Sequence, residues 1–95
     1  MEAVLSGLFR FDGSDPLYKG HFPGNPVVPG SLVVEAFYHR LRDEGHAPVA
    51  AKNFRFRVFV PPGEYRYTVR CEKGRATCTL FTDEAPAVTG EMVLP

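Results

Sequence analysis

Tyr65-Arg66-Tyr67-Thr68-Val69-Arg70-Cys71-Glu72-Lys73-Gly74-Arg75-Ala76-Thr77-Cys78-Thr79-Leu80 alternates apolar and polar residues on both sides of one dipeptide. Period-two alternation is the signature of a half-buried strand, and Lys-Gly between two such runs predicts a hairpin with a two-residue turn. Folding at Lys73-Gly74 sets Cys71 opposite Ala76, Val69 opposite Cys78 and Tyr67 opposite Leu80. Every pair is apolar against apolar, whereas a slip of one residue would turn each apolar set toward water. The cysteines then stand diagonally, roughly 7–8 Å apart, too far for a relaxed disulfide. They are expected to be reduced core residues.

Outward from this hairpin the alternation continues. Phe54, Phe56, Val58 and Val60 share a predicted face, with Asn53, Arg55 and Arg57 opposite, before the break at Pro61-Pro62-Gly63. Beyond Asp83-Glu84-Ala85-Pro86 a last strand carries Val88, Met92 and Leu94. Near the N-terminus, residues 3–11 form another strand, with Leu5, Phe9 and Phe11 on one face. Residues 31–44 are the single predicted helix, with Gly45 as the residue after its cap. Its first half is apolar nearly all round and its second half is charged, as for a helix that is buried at its start and emerges into water. Residues 12–30 hold eight Gly and Pro positions, too many breakers for regular structure. The embedded Tyr18, His21, Phe22, Val27 and Val28 predict a packed, functional loop.

Strand, loop, helix and then three or four antiparallel strands make an α+β chain of one domain over residues 1–95. One sheet on one helix leaves bare edges, which a second copy would cover, so a dimer is expected. Eleven basic residues balance eleven acidic ones, which argues against nucleic-acid binding driven by bulk charge. No apolar run approaches the ~18–20 residues of a membrane helix. The expected location is the cytoplasm. No metal or cofactor is expected, since two cysteines without companion ligands do not make a zinc site.

Glu35 stands out, because it lies between Val34 and Ala36 in the apolar half of the helix. Either it finds the one wet side, or it is a carboxyl desolvated by Val33, Val34 and Phe37 and poised for acid–base work. His21, flanked by glycines and Pro23, is either structural or an aimed catalytic imidazole. Pro29-Gly30-Ser31 opens the helix with N–H groups that can hold a developing oxyanion. The Gly-rich turn matches no phosphate-binding fingerprint.

The run His21-Phe22-Pro23-Gly24-Asn25-Pro26-Val27-Val28-Pro29-Gly30-Ser31-Leu32-Val33-Val34-Glu35-Ala36 closely resembles the active-site segment of the beta-hydroxyacyl-acyl carrier protein dehydratases, hot-dog-fold enzymes of fatty-acid synthesis. Asn53-Phe54-Arg55-Phe56-Arg57 and Pro61-Pro62-Gly63 resemble that family's second strand and its turn. The resemblance implies a curved antiparallel sheet wrapped around one helix and paired into a dimer, or an oligomer of dimers, with His and Glu of each site drawn from different subunits. It implies His21 as the base for the α-proton and Glu35 as the acid for the departing 3-hydroxyl. The Gly30 N–H would hold the thioester oxygen, with Phe22 and Pro29 beside it. Glutamate rather than aspartate resembles the branch that dehydrates without isomerising the double bond. The implied partner is an acidic acyl carrier protein, for which Lys19, Arg40, Arg42, Arg55 and Arg57 are available. Where the family often has glutamine, this chain has His39, which either hydrogen-bonds Glu35, or deprotonates it and so spoils its acid role, or is a solvated position on the emerging helix. The chain is also shorter than those enzymes. A non-catalytic module that binds acyl thioesters or a partner enzyme, and a hot-dog thioesterase, are the rival readings.

Overall fold

The computed structural model describes residues 3–13 and 27–95. Strand β1 (Ala3–Phe11) precedes helix α1 (Gly30–Asp43), which is followed by β2 (Ala50–Phe56), β3 (Gly63–Glu72), β4 (Arg75–Thr82) and β5 (Ala85–Val93). The strands form one antiparallel sheet in the order β1-β3-β4-β5-β2. The first two strands in sequence are therefore the two edges, and the helix is the link between them.

The central hairpin has the register that its apolar pairs predict: Cys71 faces Ala76, Val69 faces Cys78 and Tyr67 faces Leu80. Gly74 takes the positive φ of 79° that closes the turn. Both cysteines are free and buried. Burial raises the Cys71 thiol above its ordinary range and pushes Cys78 up to about 12.

The helix runs Gly30–Asp43, one residue earlier than expected at each end, with Glu44 as its cap and Gly45 following the cap as expected. Gly45, at φ 91°, donates its N–H to the Arg42 carbonyl, and His46 donates to the Leu41 carbonyl. These paired bonds satisfy carbonyls that the helix itself cannot reach. Val33, Phe37 and Leu41 face the sheet and are fully buried. The Phe37 ring meets Phe9 of β1 edge-on at 5.0 Å, Tyr67 of β3 at 6.1 Å and Phe54 of β2 at 6.2 Å. One side chain thus ties the helix to both edges of the sheet.

Two expectations need correction. The run Phe54, Phe56, Val58, Val60 is not one continuous face. Lys52 pairs with Glu91 and Arg55 with Thr89, so Asn53 and Phe54 together oppose Gly90 in a bulge, with Asn53 at φ 56°. A side chain at residue 90 would collide with the Phe54 ring, so glycine gives that ring its seat. Phe54 and Phe56 still face the helix side, but β2 ends there. Val58 is exposed, Phe59 is 83% exposed, and only Val60 turns back into the core, where its carbonyl accepts the Val28 N–H at 2.7 Å. The last strand, for its part, starts at Ala85 and includes Pro86. Asp83 and Glu84 alone make the turn, both at positive φ. Pro86 is tolerated because it sits at the register shift between Leu80 and Phe81, where the ladder does not need its missing donor.

Candidate active site

His21 and Phe22 lie outside the described residues. Pro29, Gly30 and Glu35 lie within them, at the start and along the open side of α1. Pro29 is the cap residue, in an extended conformation at φ −59° and ψ 140°. Its carbonyl accepts the Leu32 N–H at 3.0 Å and the Val33 N–H at 3.4 Å. The Gly30 and Ser31 N–H groups precede the first of these bonds and belong to the unsatisfied start of the helix. Among the described residues no side chain caps this end, and no acidic residue stands in the first turn. The positive end of the helix dipole favours negative charge there.

Gly30 is glycine for a reason the sequence alone does not reveal. A Cβ there would come within 2.8 Å of Cζ of Phe56 and 3.2 Å of two further ring carbons. The Phe56 ring lies over the helix start as a wall, with 46% of the residue still in solvent. Phe56 is the site-lining residue that sequence reasoning missed. Its alternation with Phe54 marks it as inward-facing, yet only the bulge at Asn53 and the packing of α1 bring it onto Gly30.

Of the two readings left open for Glu35, the single chain shows the wet side: it is not enclosed by Val33, Val34 and Phe37. Val33 and Phe37 point to the sheet, and Glu35 points away from it, with 60% of its side chain exposed. Its carboxylate Oε1 lies 3.4 Å from Nε2 of His39, one turn on and also exposed. Glu35 forms the ridge between two grooves. One, of about 300 Å³, is bounded by Ser31, Val34 and Tyr38 on the helix and by Val49, Ala51 and Met92. The other, of about 290 Å³, is bounded by Arg10, Phe11 and Asp12 from the β1 side and by Leu32, Ala36 and His39. A carboxyl between two grooves, near a helix start walled by an aromatic ring, can exchange a proton with a molecule laid along the helix.

Of the basic residues available to an acidic partner, Arg40 is engaged internally. It pairs with Glu44 at 2.7 Å and donates from Nε to the Tyr67 hydroxyl at 2.7 Å. Arg42, Arg55 and Arg57 are exposed, and Lys19 lies outside the described residues. No helix among the described residues is long and apolar enough to cross a membrane.

Known proteins resemble this chain in sequence and in fold. In sequence, it is 33% identical over 92 residues to the 3-hydroxyacyl-[acyl-carrier-protein] dehydratase FabZ of Caulobacter sp. (strain K31), covering 84% of this chain and 56% of that protein. The enzyme of the same description from Polynucleobacter asymbioticus is 33% identical over 100 residues, covering 94% of this chain and 66% of its own. The chain thus spans little more than half the length of the first of these relatives. In fold, it superimposes on a chain of the dehydratase heterocomplex ApeI:P from Xenorhabdus doucetiae with a TM-score of 0.77 at 21% identity, covering 98% of this chain and 86% of the other. An uncharacterized protein from Erwinia carotovora subsp. atroseptica matches with the same TM-score at 18% identity, covering 99% of this chain and 84% of its own. These likenesses establish the hot-dog arrangement of an antiparallel sheet and one helix. Residues 3–91 match the family described as ApeI-like, ApeI dehydratase. The chain belongs to the ApeI-like dehydratase family.

Proposed function

We propose that this protein dehydrates (3R)-hydroxyacyl thioesters carried on acyl carrier protein to trans-2-enoyl thioesters, in fatty-acid or polyketide-type synthesis. The observation that carries this reading is the placement of Glu35 between two grooves on the open face of α1, one turn past a helix start whose own first turn has no acidic residue. The thioester oxygen lies at the Gly30 N–H, where the helix dipole favours the charge of an enolate. His21 takes the α-proton, and the 3-hydroxyl leaves as water with a proton from Glu35.

Glu35 is open in a single copy of the chain. A second copy, laid over the exposed helix face, encloses it, and a homodimer, or an oligomer of dimers, is the working assembly. The acidic carrier protein then meets Arg42, Arg55 and Arg57 rather than Arg40, which its internal partners hold.

The test follows a 3-hydroxybutyryl thioester and the crotonyl thioester, free and linked to carrier protein, by enoyl absorbance in both directions. Interconversion that is lost in both His21→Ala and Glu35→Gln is the expected result. Binding without turnover by a well-folded wild type would instead identify a non-catalytic acyl-thioester module. Thiol release would identify a thioesterase.

A further inference from the structure

We propose that Tyr38 sets the longest acyl tail this protein accepts, by closing the far end of the apolar groove beside Glu35. The inference rests on the dehydratase reading above. The groove, of about 300 Å³, begins at Ser31 near the helix start and follows α1 past Val34 to Tyr38. Val49 and Ala51 line it from the other side, and Met92, itself buried, lies at its base.

Glu35 is shared by this groove and the second one, but the two differ in chemistry. Among the described residues, Glu35 is the only charged residue on the groove that ends at Tyr38, whereas Arg10 and Asp12 join it on the other. An alkyl chain laid against Arg10 and Asp12 would strip water from charges, which is costly. Laid against Val34, Val49, Ala51 and Met92, the same chain gains by leaving water. The unbranched, flexible side chain of Met92 also adapts to a linear tail. With the 3-hydroxyl at Glu35, the carbons beyond C3 start at the shared wall and continue on the apolar side. In the proposed dimer the second copy roofs this groove into a tunnel, and Glu35 need not be open for the tail to follow it.

Tyr38 is the last helix residue on the groove, and its ring is held in place. It is half-buried and packs against the core. The ring meets His39 edge-on at 5.5 Å, and the Arg42 guanidinium lies 6.0 Å from its centre, at the limit of a cation–π contact. A tail that reaches this ring must stop there or displace it from these contacts.

The test measures kcat/KM of the intact protein for straight-chain (3R)-hydroxyacyl thioesters, from hydroxybutyryl to hydroxydodecanoyl, on one carrier. In the wild type, kcat/KM is expected to rise about fourfold per buried methylene and then to fall once the tail meets Tyr38. In Tyr38→Ala the fall should come at a longer tail. The longest substrate should gain on the order of tenfold, while hydroxybutyryl, too short to reach the ring, stays within about twofold of wild type. Tyr38→Leu, which keeps apolar bulk and guards against a loss of fold, should shift the cut-off less. Ala51→Leu narrows the same groove from β2 and should cost the longer substrates on the order of tenfold. Arg10→Ala, in the other groove, should leave the ratio of long to short substrates unchanged. A wild-type cut-off in folded Tyr38→Ala and Tyr38→Leu, or in Ala51→Leu, overturns this proposal and leaves the dehydratase reading standing. So does a cut-off that moves in Arg10→Ala instead. A wild type that turns over no member of the series overturns both.

Discussion

Val33, Phe37 and Leu41 lie on one side of α1 with essentially no exposed surface, while Glu35 and His39 on the other side keep 60% and 64% of their side chains in solvent. The difference shows how one 14-residue helix is divided between folding and chemistry. The sheet-facing stripe is finished within the chain: aromatic rings from β1, β2 and β3 close on Phe37. The opposite face carries the polar pair and two grooves, and little of it is needed to hold the fold. Substitutions on the two faces should therefore separate stability from activity.

The largest effect is expected on the open face. Glu35→Gln should reduce turnover 10²- to 10⁴-fold, the range for losing a general acid, while thermal unfolding shows the same midpoint as wild type. A large fall in that midpoint would mean that the open face also holds the fold, and the division would collapse. The mirror experiment is Phe37→Ala, expected to cost about 3–5 kcal/mol in denaturant unfolding by emptying the centre of the core.

Gly30→Ala sits where the two regions meet. Its methyl must displace the Phe56 ring. The ring is half-exposed and can swing away, so stability should change by less than about 1 kcal/mol. Activity should fall about tenfold, less than the 10²–10³-fold of losing an oxyanion donor outright. Adding Phe56→Ala should recover part of that loss if the collision is the cause.

The last expected effect belongs to the sheet interior and shows only at alkaline pH. Below the ordinary thiol range both folded and unfolded chains hold the Cys78 proton. Between that range and about 12, the unfolded chain ionises and the folded one does not. Stability should therefore fall as pH rises through this window, by up to about 1.4 kcal/mol per pH unit. Cys78→Ala should flatten the slope in urea titrations at pH 9–11, with Cys71 supplying what remains. An unchanged slope would show that the alkaline loss originates elsewhere.

Much of the fold is legible residue by residue. The pairs Tyr67–Leu80, Val69–Cys78 and Cys71–Ala76 can be read from one turn, because neighbouring strands joined by two residues leave no freedom of register. Gly45 marks the helix end because only its own backbone is involved. What escapes reading depends on residues distant in sequence. The bulge at Asn53 and Phe54 exists because Gly90, on another strand, leaves room for a ring. Likewise Arg40 looks like a solvated cation until Tyr67 is brought to it. The site is legible to the same extent. A helix apolar on most sides does not disclose which side the sheet will cover, so the exposure of Glu35 had to come from the packing of Phe37.

The strand order also dictates a sequence of assembly. β3, β4 and β5 follow one another through two-residue turns and can zip as a local meander. Each edge strand must instead close a long segment: Phe11 reaches Gly63 only after the intervening chain, helix included, has doubled back, and Phe56 meets Val88 across the whole β3–β4 hairpin. Closure entropy grows with the length so enclosed, and contacts of this separation slow folding. Phe37, which touches both edges, can make its full set of contacts only when both closures are complete.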